Sequence, residues 1–537
     1  MNTLVIIPAR GGSKGIPRKN VRLLNGKPLI SYVINNALSS KYVTDVYVST
    51  DDEEIENVAH KYGCHVIKRN PELGKDKVTL DPVIHDATCR IEEEQEKKYD
   101  LVITMQPTSP LLKKETLDAA IQYFLDNNCD TLISVVNKPH LSWKNEDGKI
   151  IPNYEKRLNR QELPANYLET GAFVITKREF VKEHTRFGTM INVYEVSEEE
   201  SIDIDSYGDW ALCESFLKRK KIVLRCDGYK MLGMGHIYHC LTLAYHLTGH
   251  DIVFVLNKKH KEGIKKIEEA FFKYELIEDD ADFYRLLNQI RPNIIVNDCL
   301  DTTEAYIRNL KKYADKVVTI EDMGSGSVIA DVCINALYEK NDNPNIYCGE
   351  KYVCLREEFL IANPKIIKKE VQNVLVLFGG TDPCNLTRKL YHIAKRKYEN
   401  LNFTFITGIG YDPETLGIIS DTSKNIRVLN NVKNVSQYME ASDIAFTSQG
   451  RTVYELAAIG VPSIVLAQNK RELLHTFAAA ENGFMNLGLG ENVTEEEIEN
   501  ALNLLIADFE KRKEMNRRML KKNIKMGITR EINLILE

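Results

Sequence analysis

Short apolar runs alternate with longer stretches in which apolar residues recur every three or four positions, and this rhythm continues along most of the chain. Leu4-Val5-Ile6-Ile7 has the pattern of a buried parallel strand. Pro28 to Ser39 follows with Leu29, Ile30, Val33, Ile34 and Leu38 at helical spacing. Asp45–Asp51 predicts a strand ending in polar and acidic residues, 53–62 a helix, and His65–Lys68, 101–105 and 131–136 further strands. Such alternation predicts a mostly parallel sheet covered by helices. A polar excursion from Asn137 to Arg160 reads as a lid or an oligomer arm. A helix over 206–218 then runs into Lys218-Arg219-Lys220-Lys221, where we place a domain boundary. The pattern restarts with strands at 222–227, 251–256, 293–297, 316–320 and 332–335. It restarts again at 373–382, followed by 403–407, 426–429, 444–447 and 462–467. The expectation is an α/β protein with a Rossmann-like domain over 1–218, then two Rossmann-like halves, 219–365 and 366–537, facing a cleft.

Composition narrows the function classes. A chain of 537 residues suggests two to four domains, and 43% hydrophobic with 28% charged residues is ordinary globular composition. A net charge of −6 argues against nucleic-acid binding, so cationic clusters read as local anion sites. The eleven cysteines show no metal-ligand spacing and no disulfide framework, which points to reduced thiols and a cytoplasmic location. No apolar run reaches transmembrane length, so no membrane partner is expected.

Chemistry concentrates where strands end. After the first strand come Arg10, Gly11, Gly12, Ser13 and Lys14, then Gly15, Arg18, Lys19 and Asn20. Glycines admit backbone N–H groups close to a polyanion while the cations neutralise it, as a triphosphate site at a sheet's carboxyl edge requires. Neither Gly-x4-Gly-Lys-Ser/Thr nor Gly-x-Gly-x-x-Gly is present here. Gln106, Thr108 and Ser109 follow another strand. Asp203 and Asp205, two apart, share one face if the segment is extended, with Ile202 and Ile204 opposite. Paired carboxylates suit Mg²⁺ bound beside substrate phosphates. His236 follows Gly233-Met-Gly235 at the first turn of a helix, where the dipole favours the neutral imidazole. Glycine-rich helix starts in the last third suit a nucleotide diphosphate.

Taken together, IIPARGGSKGIPRKN, Val48–Asp52, Gln106–Leu111, Gly171–Ile175 and Ser201–Asp205 resemble the CMP-sialic acid synthetase family, across essentially all of residues 1–218. The resemblance implies transfer of CMP from CTP to the anomeric hydroxyl of a nonulosonic (2-keto sugar) acid, with release of pyrophosphate. Arg10, Lys19 and Asn20 would contact CTP, and Lys19 and Asp205 would be catalytic. Gln106, Thr108, Ser109 and Gly171 would face the sugar acid, and Asp203 with Asp205 would hold Mg²⁺. A homo-oligomer through this domain is also implied. Leu112 and Thr170 stand where many relatives have arginine and asparagine.

Residues 221–537 resemble the UDP-sugar hydrolase of pseudaminic acid biosynthesis and its GT-B relatives, through Arg225–Asp227, Gly233–His236, Cys240-Leu241, Gly379–Asp382 and 448–455. By that resemblance His236 is catalytic, and Gly235, Gly380, Thr381, Gly450, Arg451, Thr452 and Glu455 bind a UDP-linked amino sugar. The tyrosine those hydrolases carry after an Asp-Ser pair is absent from Asn297-Asp-Cys-Leu300. A glycosyltransferase or a nucleotide-sugar-binding module are the alternatives for this half.

Overall fold

The computed structural model describes residues 1–12, 15–75, 77–229, 232–339, 341–408, 410–411 and 424–537. The chain forms two compact units, Met1–Arg219 and Lys220–Glu537.

The first unit is built on a seven-stranded sheet in the order Ile191–Glu195, Thr131–Asn137, Tyr167–Lys177, Leu101–Thr104, Thr3–Pro8, Asp45–Thr50, His65–Lys68. Only Tyr167–Lys177 runs against its neighbours. Thr3–Pro8 is central and its apolar residues are fully buried, which is why it reads as a continuous apolar run. Helices Leu29–Ser39 and Lys114–Asp126 cover one face with Ile30, Val33, Leu117 and Ile121. Leu80–Glu94 covers the other with Ile84, Ala87 and Ile91. The polar excursion contains an exposed hairpin, Trp143–Glu146 with Lys149–Pro152.

The second unit holds two all-parallel sheets. The first runs Tyr274–Ile277, Asp251–Asn257, Lys221–Cys226, Ile294–Asp298, Lys316–Ile320, Val332–Asn335, Ile346–Cys348. The second runs Ile426–Asn430, Asn402–Thr407, Asn373–Leu377, Ile444–Thr447, Ser463–Ala467, Phe484–Leu489. In each, the first strand in sequence lies inside the sheet and successive strands are added to one side, then to the other. This creates a topological switch point, the crevice at which open α/β sheets bind ligands. The switch points fall between Cys226 and Asp298 in one sheet, and between Leu377 and Thr447 in the other. The last helix, Gly527–Leu536, lies far along the chain from the first sheet yet buries Ile528 and Ile535 in its core.

Candidate functional site

In the first unit the loop after Thr3–Pro8 meets the segment Ser201–Asp205. That segment lies outside any sheet. Ile204 is fully buried and its N–H donates to the Thr108 carbonyl at 2.9 Å, pinning the segment over the sheet edge. The two carboxylates are consequently unlike. Asp205 leaves 79% of its side chain exposed, while Asp203 has a buried Oδ1 with no hydrogen-bond partner. Burial raises the Asp203 pKa, and the charge of Asp205 adds to the rise. Lys19 Nζ donates to the Ile204 carbonyl at 2.6 Å and to Asp205 Oδ1 at 3.3 Å. Gly15 packs so closely that a Cβ there would lie 2.7 Å from the Asp205 carbonyl oxygen.

The neighbouring loop residues are held from beneath. Asn20 Nδ2 donates to the Arg10 carbonyl at 3.0 Å, and Gly11 N–H to Asp51 Oδ1 at 3.3 Å. Gly12 has open space where a side chain would project. Ser13 and Lys14, expected at the triphosphate, lie outside the described residues. Gly171 has φ +72°, and a Cβ on it would sit 2.7 Å from Gln106 Nε2, so glycine is required twice over. The Ser109 hydroxyl is buried without a hydrogen-bond partner, while the Thr108 hydroxyl faces the Asp203 carboxylate and opposes the rise in its pKa. Arg186 was not anticipated. Its side chain is only 12% exposed, with Nε 3.6 Å from Asp81 Oδ1, and Nε and Nη1 make no hydrogen bond.

In the second unit a cavity of about 430 Å³ is lined from both sheets. It gathers His236, Gly235, Gly380, Thr381, Gly450, Arg451, Thr452 and Glu455, the whole set anticipated there. Glu455, in the first turn of Thr452–Ile459, is held by Arg356 Nη2 at 3.0 Å. Asp298, at the switch point and fully buried, was not anticipated. Its Oδ1 accepts from His236 Nδ1 at 2.6 Å and its Oδ2 from His239 Nδ1 at 2.9 Å. Burial opposes protonation of His236, but Asp298 outweighs it and raises the imidazole pKa. The helix-dipole expectation of a lowered value is therefore corrected, because a buried carboxylate in contact exceeds half a charge spread over a helix end. Burial drives the Cys299 thiol well upward, and its Sγ lies 3.5 Å from the Arg225 carbonyl. Cys299 therefore does not stand in for a phenol.

The family described as Cytidylyltransferase matches residues 4–213. Pseudaminic acid cytidylyltransferase of Campylobacter jejuni is 36% identical over 217 residues, covering 93% of that protein and 39% of this chain. The chain belongs to the cytidylyltransferase family. N-acylneuraminate cytidylyltransferase A of Danio rerio is 34% identical over 291 residues, 51% of this chain and 65% of that protein. The chain spans 56% and 65% of the length of the first curated relatives it matches. Its residues 374–530 match the glycosyltransferase family 28 C-terminal domain. A crystal structure of MurG from Acinetobacter baumannii is 14% identical with TM-score 0.45, over 59% of this chain and 99% of that one. No helix among the described residues is long and apolar enough to cross a membrane.

Proposed function

We propose that the N-terminal unit transfers CMP from CTP to the anomeric hydroxyl of a nonulosonic acid. The observation that carries this reading is Lys19 braced against Ile204 and Asp205 near the buried, unpartnered Oδ1 of Asp203, at the edge of a glycine-rich loop. The sugar hydroxyl oxygen attacks the α-phosphorus as its proton passes to solvent, the bond to the bridging oxygen breaks, and pyrophosphate leaves with that electron pair. Lys19 stabilises charge developing on the phosphate oxygens. The buried, unpartnered Asp203 oxygen and the exposed Asp205 fit a divalent cation, and these two residues would hold Mg²⁺. When bound, the ion neutralises triphosphate charge. Gln106 and Gly171 border the sugar acid. Self-association is part of this reading, because Trp143, Ile150, Tyr167 and Leu168 are exposed apolar residues on the hairpin and the adjacent strand. The test is pyrophosphate release from CTP and Mg²⁺ with a panel of nonulosonic acids. Product from one acid that is lost in Asp203→Asn supports the proposal, and no release with any acid counts against it.

For the second unit we propose hydrolysis of a UDP-linked amino sugar. His236 lines the cavity, and Asp298 occupies its Nδ1 and leaves Nε2 for a water. Nε2 takes the water proton, the oxygen attacks the anomeric carbon, and the bond to UDP breaks with its electrons on the β-phosphate oxygen. This is the division of labour of an acid-oriented histidine base. The glycosyltransferase 28 match favours a second reading in which a sugar hydroxyl replaces water. Incubation with UDP-linked diacetamido sugars separates the two. Free sugar plus UDP that is lost in His236→Asn supports hydrolysis, and release only with an added acceptor supports transfer.

A further inference from the structure

The glycine turn that opens Thr452–Ile459 is backed by a carboxylate to which neither proposed activity assigns a role. Glu472 lines the cavity from the short helical turn Glu472–Leu474. Its Oε2 accepts two backbone N–H groups, from Gln449 at 3.1 Å and from Gln468 at 2.8 Å. Among the described residues these are the hydrogen bonds of its side chain, and no cation is among the groups that shift its charge. Oε1 is left accessible and without a partner. It lies 3.6 Å from where a Cβ on Gly450 would stand, so glycine at that position keeps the oxygen open to the cavity. Burial raises the carboxyl pKa, and the two N–H groups oppose the rise.

The carboxylate is fixed from both sheets. Gln468 Nε2 donates to Asp382 Oδ1 at 2.8 Å, within the loops of the second sheet. Arg471, the residue before Glu472, crosses to the first sheet. It donates to Asp301 Oδ1 and Oδ2 at 2.9 and 3.1 Å, to the Glu321 carbonyl at 3.1 Å and to the Tyr338 hydroxyl at 3.0 Å. Arg451, the residue after Gly450, meets Glu321 Oε1 at 3.0 Å and His239 Nδ1 at 3.2 Å. His239 shares Asp298 with His236, and its Nε2 lies 3.1 Å from Glu531 Oε2. Glu472 thus backs the turn that connects the glycine-rich helix start to the His236 side of the cavity.

An ionised carboxylate oxygen only accepts hydrogen. It repels a diphosphate, so the group it can receive is neutral and donating. Where the glycine turn approaches the His236 side, that group in a nucleotide-sugar is the hexose, with its hydroxyl and amide hydrogens. A fixed acceptor of this kind selects strongly, because a sugar lacking the donor leaves a desolvated charge unpaired. We propose that Glu472 is a specificity-determining residue of the second unit, its Oε1 accepting a hydrogen from the hexose of a nucleotide-sugar. In the amino sugar proposed above that donor is an acetamido N–H. The assignment rests on nucleotide-sugar binding in this cavity, which the hydrolysis and transfer readings share.

The experiment is titration calorimetry of the full chain carrying His236→Asn, a background that does not consume the sugar nucleotide. UDP is compared with a UDP-linked diacetamido sugar. Glu472→Gln is isosteric and informative, because its oxygen must face the N–H groups of Gln449 and Gln468. Its NH₂ then takes the place of Oε1, and the acceptor in the cavity becomes a donor. The sugar nucleotide should bind this variant about tenfold or more weakly, the scale of a lost hydrogen bond to a charged group, while UDP affinity holds. Glu472→Asp keeps the charge but withdraws it by one methylene, and should also weaken the sugar nucleotide alone. It decides the matter if Glu472→Gln does not fold. Equal losses for UDP and the sugar nucleotide would reduce Glu472 to a brace for the glycine turn and overturn the proposal. Unchanged affinity for both would overturn it too. If the background protein binds neither ligand, the nucleotide-sugar reading itself fails and takes the proposal with it.

Discussion

At single residues, the strongest consequences attach to Lys19 and Gly171. Lys19 keeps 13% of its side chain exposed and spends its hydrogen bonds on the Asp203–Asp205 segment. Lys19→Ala should lower kcat/KM for pyrophosphate release by about 10²–10³-fold, the scale for one donor to developing charge. Circular dichroism should be unchanged, because the lost contacts lie at the surface edge of the sheet. Gly171→Ala acts differently. It forces an L-residue to φ +72° and drives a methyl into Gln106. Steady-state kinetics should show KM rising for the sugar acid, with KM for CTP little changed. An equal change in both would detach Gln106 from sugar recognition.

At the scale of elements, the highly charged helix Phe509–Lys521 carries a buried arginine. Arg512 is 1% exposed and donates to the carbonyls of Ile506, Lys368 and Lys369 at 3.0, 2.9 and 2.7 Å, and to that of Leu505. Arg512→Met removes these bonds and leaves carbonyls buried, so urea unfolding should show a loss of about 3 kcal/mol or more. Such residues mark the limit of legibility. Interior parallel strands such as Leu101–Thr104 and Ile444–Thr447 are buried on both faces and announce themselves as apolar runs. The edge strand Tyr274–Ile277 is partly exposed and was not anticipated, because one covered face leaves no such run. Strand-end glycines pointed to the second-unit cavity, since ligand edges need those residues wherever the fold puts them. Asp298, His239 and Glu531 were illegible as a group. Their partners are tens to hundreds of residues away, and Glu531 takes a core-facing helical position between Ile528 and Ile535 that is normally apolar.

At the scale of the whole molecule, buried titration sets a pH window for the second unit. The Asp298 carboxylate is held far below its usual range by its histidine partners despite burial, so its contribution is present above about pH 4 and lost as pH falls. His236 and His239 are raised, so theirs is complete below about pH 6.5 and lost as pH climbs through the raised values. His475, lowered by burial, works in the opposite sense, one ring against two. Chemical denaturation of the full chain should therefore find the second unit most stable between about pH 4 and about pH 6.5, with a decline on the alkaline side. Glu531→Gln should flatten that decline, because the His239 shift that causes it depends on the carboxylate.

The attachment of Gly527–Leu536 to the first sheet also orders events during synthesis. Domains generally fold in turn as the chain emerges, N-terminal ones first. Residues 1–219 contain all of their own sheet and can complete it early. The sheet begun by Lys221–Cys226 must wait about three hundred residues for Ile528 and Ile535, which fill its core, and for Glu531. Until then His239 and Asp298 are a charged pair without their final partner. A nascent chain captured by a ribosome stall before residue 527 should thus carry a finished first unit and an open, chaperone-accessible second one.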